Sequence, residues 1–194
     1  MTAGELMVAQ RVETREDLSF DEIFESYHER IYNCIYRLVG NPEEAHDLTQ
    51  ETFLRVYKHL HKFDPAQEFA PWLYRIAVNV CHDLARKRSR GNPASLEAEM
   101  EAGNFAEPAS PHNTERSAMH AQERKIIARA LATLSEKERA AIILRDLEGL
   151  PTEEVARILG STPTTVRSQI SMARTKIKQF RDRWLKNPGQ YRER

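Results

Sequence analysis

Residues 147–177 (LEGLPTEEVARILGSTPTTVRSQISMARTKI) limit the possible folds of this chain more than any other stretch. Apolar residues recur at helical spacing on both sides of Gly160, a residue that tolerates the left-handed backbone in which helices commonly end. Thr152 is placed to cap the first helix, and Thr162 the second, with Pro163 as its first residue. The stretch therefore predicts two short helices joined by a tight turn.

The second of these helices has two different faces. One is apolar and consists of Val166, Ile170, Ala173 and Ile177. The other carries guanidinium, amide and hydroxyl groups, which a helix in the major groove of DNA needs for base edges and phosphates. The candidate DNA-contacting residues are Thr164, Thr165, Arg167, Ser168, Gln169, Ser171 and Arg174.

The charge distribution favours DNA as the ligand of this helix. The whole chain has 29 Lys and Arg against 29 Asp and Glu, a net charge of zero. Residues 164–194 nevertheless carry nine basic and two acidic side chains. A basic end on a neutral protein indicates a polyanionic partner. By spacing alone, two short amphipathic helices around a glycine would be equally typical of helical proteins that never bind DNA.

The N-terminal part of the chain also predicts helices. Ser19 and Glu22 form a capping-box pattern in front of a long apolar stripe that ends at Gly40. A second helix is predicted from the Asn-Pro pair at residues 41–42 to about His61, with Tyr57 on its inward face. A third follows at residues 72–88, and no segment alternates apolar and polar residues as strands do.

The fold class predicted is all-α, with two small helical domains. Five glutamates, three prolines and two glycines make residues 91–117 a flexible acidic linker between them. The predicted segments are a flexible arm at 1–18, a helical domain at 19–90, this linker, a helix-turn-helix domain at 118–187 and a tail at 188–194. Ser135 and Glu138 form a second capping-box pattern in the C-terminal domain. The sequence leaves open whether the two domains touch.

Several classes of protein are excluded. No run of about 20 apolar residues is present to span a membrane, and the first residues lack the apolar core of a secretion signal, so a cytoplasmic protein is expected. Cys34 and Cys81 lie in apolar helical patterns and are predicted to be buried free thiols. Scattered histidines predict no metal site, and no nucleophile–base set or phosphate-binding glycine loop indicates an enzyme or a cofactor.

Three motifs in a fixed order suggest a family. DLTQETF at residues 47–53 is followed by WLYRIAVN at 72–79, and after the acidic linker by GLPTEEVARILGSTPTTVRSQI at 149–170. This combination resembles the bacterial RNA polymerase sigma factors of the extracytoplasmic-function (ECF) group, which consist of a region 2 domain and a region 4 domain. The resemblance extends over about residues 20–185. It implies a promoter-specificity subunit, with catalysis left to the polymerase.

The resemblance also implies the contacts with core polymerase. Region 2 of the family docks on the clamp helices of the β′ subunit, and region 4 on the β flap. The positions that match the β′ contact surface are Asp47, Leu48, Gln50, Glu51 and Arg55. Helical spacings of three and four place Asp47, Gln50 and Glu51 on one exposed side. An ordinary solvated acidic face is the alternative interpretation of these residues.

For promoter DNA, the resemblance implies two separate sites. The loop at residues 62–71 and the third helix match the segment that melts the −10 element and binds its single-stranded bases. The positions concerned are Phe63, Phe69, Arg75, Asn79, Arg86, Lys87 and Arg88. The three basic residues at 86–88 would also be expected at an ordinary solvated helix C-terminus, where the helix dipole favours cations. Arg167 and Ser168 match the positions that bind the −35 element in the major groove, whereas Gln169 and Met172 replace residues that are often basic in the family.

Control by an anti-sigma factor, often membrane-bound, is a further expectation from the resemblance. Two other hypotheses remain. A LuxR-type regulator with a C-terminal helix-turn-helix would bind intact duplex as a dimer, but would leave the acidic motif and Asn79 unused. A helical adaptor that binds only proteins would leave the basic face of the last helix unused. A regulator should bind its duplex site alone, whereas a sigma factor should need core polymerase.

Overall fold

The computed structural model describes residues 19–91 and 126–186, and all regular elements in these two ranges are helical, as predicted. The helices are α1 (Phe20–Val39), α2 (Pro42–His59, followed by a 3-10 turn at Leu60–Lys62), α3 (Phe69–Gly91), α4 (126–132), α5 (Glu136–Ile142, continued by a π-helical turn at Ile143–Leu147), α6 (Thr152–Ile158) and α7 (Pro163–Lys186). The predicted arm and tail, and nearly all of the predicted linker, lie outside the described residues.

Helices α1, α2 and α3 pack against one another as a bundle through the apolar stripes that the sequence predicts. The side chains at its centre include Ile31, Cys34, Ile35, Phe53, Val56, Leu73 and Ala77. Both cysteines are buried and free, as predicted. Burial raises the pKa of the Cys34 thiol well above its usual value and that of Cys81 to about 12, so both stay protonated packing groups.

Most of the predicted helix ends are confirmed. The Asn41 side chain accepts hydrogen bonds from the backbone N–H groups of Glu43 (2.9 Å) and Glu44 (3.2 Å) at the start of α2. Thr162 caps α7 by accepting from the N–H of Thr165 at 3.1 Å. Gly160 has φ +58, the left-handed backbone that the turn between α6 and α7 requires. The helix-turn-helix predicted from residues 147–177 is therefore present.

Two predicted caps are wrong. Ser19 makes no side-chain cap hydrogen bond; only its carbonyl accepts, from the N–H of Ile23. Thr152 is the first residue of α6 and makes no cap bond, because Pro151 occupies the cap position in an extended conformation. A capping pattern gives the place where a helix begins, but the side chain must also adopt the rotamer that reaches the backbone.

Helix α3 begins at Phe69, three residues before the predicted start at Trp72. The carboxylate of Asp64 accepts a hydrogen bond from the N–H of Ala66 at 3.0 Å and so forms a tight turn. Because the chain reverses within this turn, the loop between α2 and α3 is shorter than predicted. Pro71 then falls in the first turn of α3, where a missing N–H costs no helical hydrogen bond. The predicted loop at residues 62–71 is therefore too long, because Pro71 lies inside the helix.

In the C-terminal half, α5, the π-helical turn, α6 and α7 pack together. Val166, Ile170 and Ala173 are buried, as the apolar spacing predicts. The capping box of α5 is confirmed, because the Ser135 N–H donates to Glu138 Oε2 (2.8 Å) and the Glu138 N–H donates to Ser135 Oγ (3.4 Å).

Glu138 also accepts from Lys176 Nζ of α7 at 2.7 Å, so one buried carboxylate joins two helices. Burial alone would raise its pKa, but the Lys176 ammonium and the Ser135 donors outweigh burial and hold the pKa below the ordinary 4.5. A lowered folded-state pKa contributes stability that is present above the ordinary value and lost as the pH falls through the folded-state value.

We therefore expect Glu138→Gln to lower the free energy of unfolding at about pH 7 and to have a smaller effect at about pH 3, because the wild-type carboxylate takes up its proton as the pH falls. Urea unfolding at both pH values measures this difference. Glu29→Gln, at an exposed position of α1, controls for the loss of one negative charge. An equal effect of Glu138→Gln at both pH values would contradict the account.

The two halves of the chain are in contact. Helix α6 packs against α3, and α1 packs against α5 and the π-helical turn. Buried residues from both halves, such as Leu73 and Val155, belong to one continuous apolar cluster. The question that the sequence leaves open, whether the two predicted domains touch, is therefore answered for the described residues.

Candidate functional site

Helix α2 presents a mixed polar and apolar surface to solvent. The Asp47 side chain is 84% exposed, and Gln50 is exposed one turn later. Leu54 and Tyr57 follow on the same side of the helix and are 46% and 66% exposed. Large apolar side chains at this exposure, flanked by a carboxylate and an amide, are typical of a protein-binding surface. We call these four residues the α2 face.

The inward position predicted for Tyr57 is wrong. Its ring packs edge-on against Phe20 of α1, with 5.2 Å between centroids, and the remainder faces solvent. Phe53 fills the core at this level, in contact with Phe20 and Phe24. The sequence signal for the α2 face was available, since residues 47, 50, 54 and 57 follow a helical spacing of three and four. Sequence reasoning missed Tyr57 because it places that residue in the core, and it does not single out Leu54 at all.

The other residues predicted for this surface have partners within the protein. Arg55 donates to Glu51 at 2.7 Å and to Asp83 of α3 at 3.0 Å, and so ties α2 to α3. The hydrogen bond that Arg55 donates to Glu51, and after it the one to Asp83, raises the pKa of Arg55. Leu48 is half-buried and packs on the apolar core. Of the predicted set, Asp47 and Gln50 are the residues that a partner reaches most easily.

Helix α3 carries an exposed polar stripe. Arg75 and Asn79 lie four residues apart on one exposed side, and Arg86 and Lys87 are exposed near the end of the helix. The guanidinium of Arg88, in contrast, forms an ion pair with Glu44 of α2. Arg88 is therefore engaged in holding two helices together, whereas Arg75, Asn79, Arg86 and Lys87 are available for a ligand.

The two phenylalanines predicted to line a base pocket differ in exposure. Phe69 is 7% exposed and packs among Tyr27, Phe63 and Trp72, with centroid distances of 5.2 to 5.6 Å. Phe69 is the first residue of α3 and mainly a core residue. Little of its surface is therefore available to line a base pocket, as was predicted for it. Phe63, in the loop before α3, is half-buried, with its ring against Phe69 and Trp72.

Helix α7 carries the polar side chains that the sequence predicts to contact DNA. Six of these seven side chains are exposed, namely Thr164, Thr165, Arg167, Ser168, Ser171 and Arg174. Gln169 is half-buried, and its Oε1 atom is buried without a hydrogen-bond partner. Arg167, Ser171 and Arg174 border an open concavity of about 480 Å³ whose other lining residues are Arg145, Thr152, Ile170, Thr175 and Lys178.

Arg145, Thr152 and Lys178 are candidate site residues that the sequence did not single out. Arg145 lies on the π-helical turn, and Thr152 begins α6, so only the folded chain brings them beside α7. The basic composition of the α7 segment was a signal for Lys178. A concavity lined by arginine, lysine and hydroxyl groups suits the phosphate backbone of a nucleic acid.

Arg167 and Arg174, the two arginines of α7 that border the concavity, are both ion-paired in this structure. Arg167 donates to Glu153 of α6 at 3.0 Å. Arg174 donates two hydrogen bonds to Asp146, at 2.9 and 2.8 Å, and these bonds, together with the charge of the carboxylate, raise the pKa of Arg174. Ion pairs between exposed side chains contribute little stability, so a phosphate or base edge can replace these carboxylates at small cost.

Within residues 19–91 and 126–186, no group of three or more His, Cys, Asp or Glu side chains is arranged to hold a metal ion. None of the helices described in these ranges is long and apolar enough to cross a membrane. The described residues offer three candidate binding surfaces: the α2 face, the polar stripe of α3 and the basic concavity at α7.

Family comparisons match both halves of the chain. Residues 23–91 match the family model described as Sigma-70 region 2, and residues 124–177 match the model described as Sigma-70, region 4. The chain belongs to the sigma-70 family. Region 2 corresponds to α1–α3, with the α2 face and the stripe of α3, and region 4 includes α5–α7, with the basic concavity.

Individual relatives place this sigma factor in the ECF group, as the motifs predict. It is 35% identical over 162 residues to the ECF RNA polymerase sigma factor SigE of Mycolicibacterium smegmatis, a match over 84% of this chain and 61% of that longer relative. It is 32% identical over 174 residues to the ECF RNA polymerase sigma-E factor of Salmonella typhimurium strain LT2, over 88% of this chain and 91% of the relative.

A solved structure supports the same fold. The sigma factor RpoE from Bartonella quintana, crystallised in complex with the anti-sigma factor NepR, is 26% identical and superimposes with a TM-score of 0.66. The match covers 84% of this chain and 96% of that one. The helical architecture of this sigma factor is thus shared with a relative that binds an anti-sigma factor.

Proposed function

We propose that this sigma factor directs core RNA polymerase to a class of promoters through three surfaces. The α2 face binds the polymerase, the stripe of α3 binds the melted −10 element, and α7 binds the −35 element in duplex form. The observation that carries the proposal is that one small chain exposes an acidic and apolar protein-binding face together with two separate cationic faces. A neutral total charge suits a protein with both kinds of partner.

The α2 face has the composition of a binding hot spot. Leu54 and Tyr57 supply apolar area that a partner can desolvate, while Asp47 and Gln50 supply hydrogen-bonding groups at the edge. A basic, partly apolar partner fits this face, and the clamp helices of the polymerase β′ subunit are the partner proposed. Glu51 and Arg55 keep α2 in place on α3 through the bond to Asp83.

The stripe of α3 suits single-stranded DNA. Asn79 offers an amide that can both donate to and accept from a base edge, and Arg75 lies one turn away. Arg86 and Lys87 are placed to neutralise phosphates, and the accessible part of Phe63 can stack on an unpaired base. We propose that these residues bind the −10 element after its strands separate.

For the −35 element, α7 is the recognition helix. Arg167 and Ser168 are exposed near its N-terminus, the part of a recognition helix that reaches base edges. Arg145, Arg174 and Lys178 around the concavity would bind flanking phosphates. The β flap of the polymerase is proposed as the second partner of region 4.

Catalysis would belong to the polymerase, so this chain is proposed to act as a subunit and not as an enzyme. An anti-sigma factor is a further proposed partner, supported by the NepR complex of the Bartonella quintana relative. A cytoplasmic location follows from the proposed partners. Any association with a membrane would pass through a membrane-bound anti-sigma factor.

Binding to a labelled promoter duplex, with and without core polymerase, tests this function. We expect weak, salt-sensitive and sequence-independent binding by the protein alone, and specific binding when core polymerase is added. A LuxR-type regulator is the competing hypothesis, and it predicts specific duplex binding by the protein alone. Specific binding without core polymerase would therefore contradict the proposal.

A further inference from the structure

A buried carboxylate joins region 4 to region 2. Glu148 follows the π-helical turn, and its side chain is only 5% exposed. Its side-chain partners among the described residues belong to region 2: the Tyr74 hydroxyl of α3 donates to Oε2 at 2.5 Å, and Arg37 Nη1 of α1 donates to Oε1 at 3.3 Å. Arg30 Nη2 of α1 approaches Oε2 to 3.9 Å. One side chain of region 4 is thus held from two helices of region 2.

A second polar contact crosses the same boundary. Arg139 of α5 is 7% exposed, and its Nη1 atom donates to the backbone carbonyl of Leu38 at 3.1 Å. Leu38 lies in the last turn of α1, where carbonyl groups lack helical partners and a cation is favoured. The remaining donors of Arg139 bind the carbonyls of Leu131 and Leu134 in its own half.

The chemistry of the Glu148 contact allows it to open. Burial, and after it the Glu148 carboxylate, raises the pKa of the Tyr74 phenol, which therefore remains a donor. The carboxylate, phenol and guanidinium groups lose water when they are buried together, and regain it when they separate. A contact of this kind therefore favours one arrangement of the two regions, while the free-energy cost of separating them stays moderate.

The closed arrangement is too compact for both promoter elements. Helices in contact have axes about 8–10 Å apart. Helix α7 packs on α6, and α6 packs on α3, so the two DNA-binding helices lie within about 20 Å of each other. Elements centred at −35 and −10 are about 25 base pairs apart, or about 85 Å at ~3.4 Å per base pair.

The length of the connecting segment permits a separation of that size. Residues 92–125, fully extended at ~3.3 Å per residue, would reach on the order of 110 Å. Engagement of both elements therefore requires the contact between α3 and α6 to break, and the Glu148 contacts to break with it.

We propose that Glu148 is a latch that holds region 4 against region 2 in the free protein and opposes its binding to polymerase and promoter. The effect on polymerase binding rests on the proposed function, whereas the closed state of the free protein does not. A protein that must open before it binds has an apparent affinity reduced by its open fraction. Weakening the latch should therefore expand the free protein and tighten its binding to core polymerase.

The test uses the full-length chain with Glu148→Gln, which removes the charge and keeps the size of the side chain. Small-angle X-ray scattering should give a larger radius of gyration than the wild type. Asp182→Asn is the matched control, because Asp182 lies on α7, has a half-exposed side chain and pairs only with its neighbour Arg181 among the ion pairs of the described residues. The control should keep the wild-type radius.

Affinity for core polymerase is the second readout. We expect Glu148→Gln to bind core about tenfold more tightly, the order of effect of losing charge-assisted hydrogen bonds in the closed state. Tyr74→Phe removes one hydrogen-bond donor and keeps the buried ring. It should therefore increase the radius of gyration and the affinity for core polymerase as Glu148→Gln does, but by smaller amounts. Circular dichroism confirms that each variant is folded, and Tyr74→Phe replaces Glu148→Gln if the latter does not fold.

An unchanged radius in folded variants would overturn the latch. So would an expanded variant that binds core no more tightly than the wild type. If the wild-type protein does not bind core at all, the proposed function fails, while the scattering comparison still decides whether Glu148 holds the free protein closed.

Discussion

The double variant Asp47→Ala/Leu54→Ala is expected to lose most of its affinity for core RNA polymerase while remaining folded. Both side chains lie on the α2 face, Asp47 at 84% side-chain exposure and Leu54 at 46%. Removing one hot-spot residue typically costs about 2 kcal/mol of binding, and the pair should cost about 2–4 kcal/mol. That corresponds to a dissociation constant raised by about 30- to 1,000-fold.

Binding of labelled protein to core polymerase measures this effect. The matched control is Glu29→Ala, which removes one carboxylate at an exposed position of α1, in the same region but outside the α2 face. We expect the control to bind like the wild type. If the α2-face variant and the control bound core polymerase with equal affinity, the proposal that the α2 face binds the polymerase would be contradicted. Asp47 is preferred to Glu51 for this test, because changing Glu51 would also disturb Arg55.

The second large effect is expected from Arg167→Ala. In the free protein Arg167 is paired only with Glu153 among the contacts that the structure describes, and both side chains are about 60% exposed. Losing an exposed pair of this kind costs the fold little. An arginine that reads a base in the major groove contributes about 1–3 kcal/mol of discrimination, so the preference of the holoenzyme for its −35 sequence should fall by about 5- to 150-fold.

Transcription from matched promoters, which differ by single base pairs in the −35 element, measures that preference. Arg157→Ala is the control, since Arg157 is also an exposed arginine of the helix-turn-helix and pairs with Glu154 inside α6. A loss restricted to promoters with the preferred base would support base recognition by Arg167. Equal loss on every promoter would instead identify a phosphate contact and contradict its proposed role.

Much of the fold follows from the sequence because the signals are local. The positions of Gly40, Asn41, Gly160 and Thr162 mark helix ends correctly, since a positive φ or a side-chain cap depends on neighbouring residues only. Where the side chain at the cap position makes no hydrogen bond to the backbone, as at Ser19, or where a neighbour takes the cap position, as Pro151 does at Thr152, the pattern misleads.

The site is less predictable because several of its properties arise from contacts between distant segments. Arg88 has the composition of a DNA contact, but α2 places Glu44 beside it. Tyr57 has the character of a core residue, but Phe53 already fills that space. The partners of Glu148 lie 74 and 111 residues away in the chain, so no local pattern indicates the latch.

Run-off transcription with purified core RNA polymerase is the most direct test of the central claim, that this chain is a promoter-specificity subunit. A pool of promoter fragments is transcribed with and without the protein. The account predicts specific transcripts that appear only when the protein is present, with start sites that share −35 and −10 sequences. Absence of transcripts and of any complex with core polymerase, together with tight binding to intact duplex, would contradict it and favour a conventional regulator.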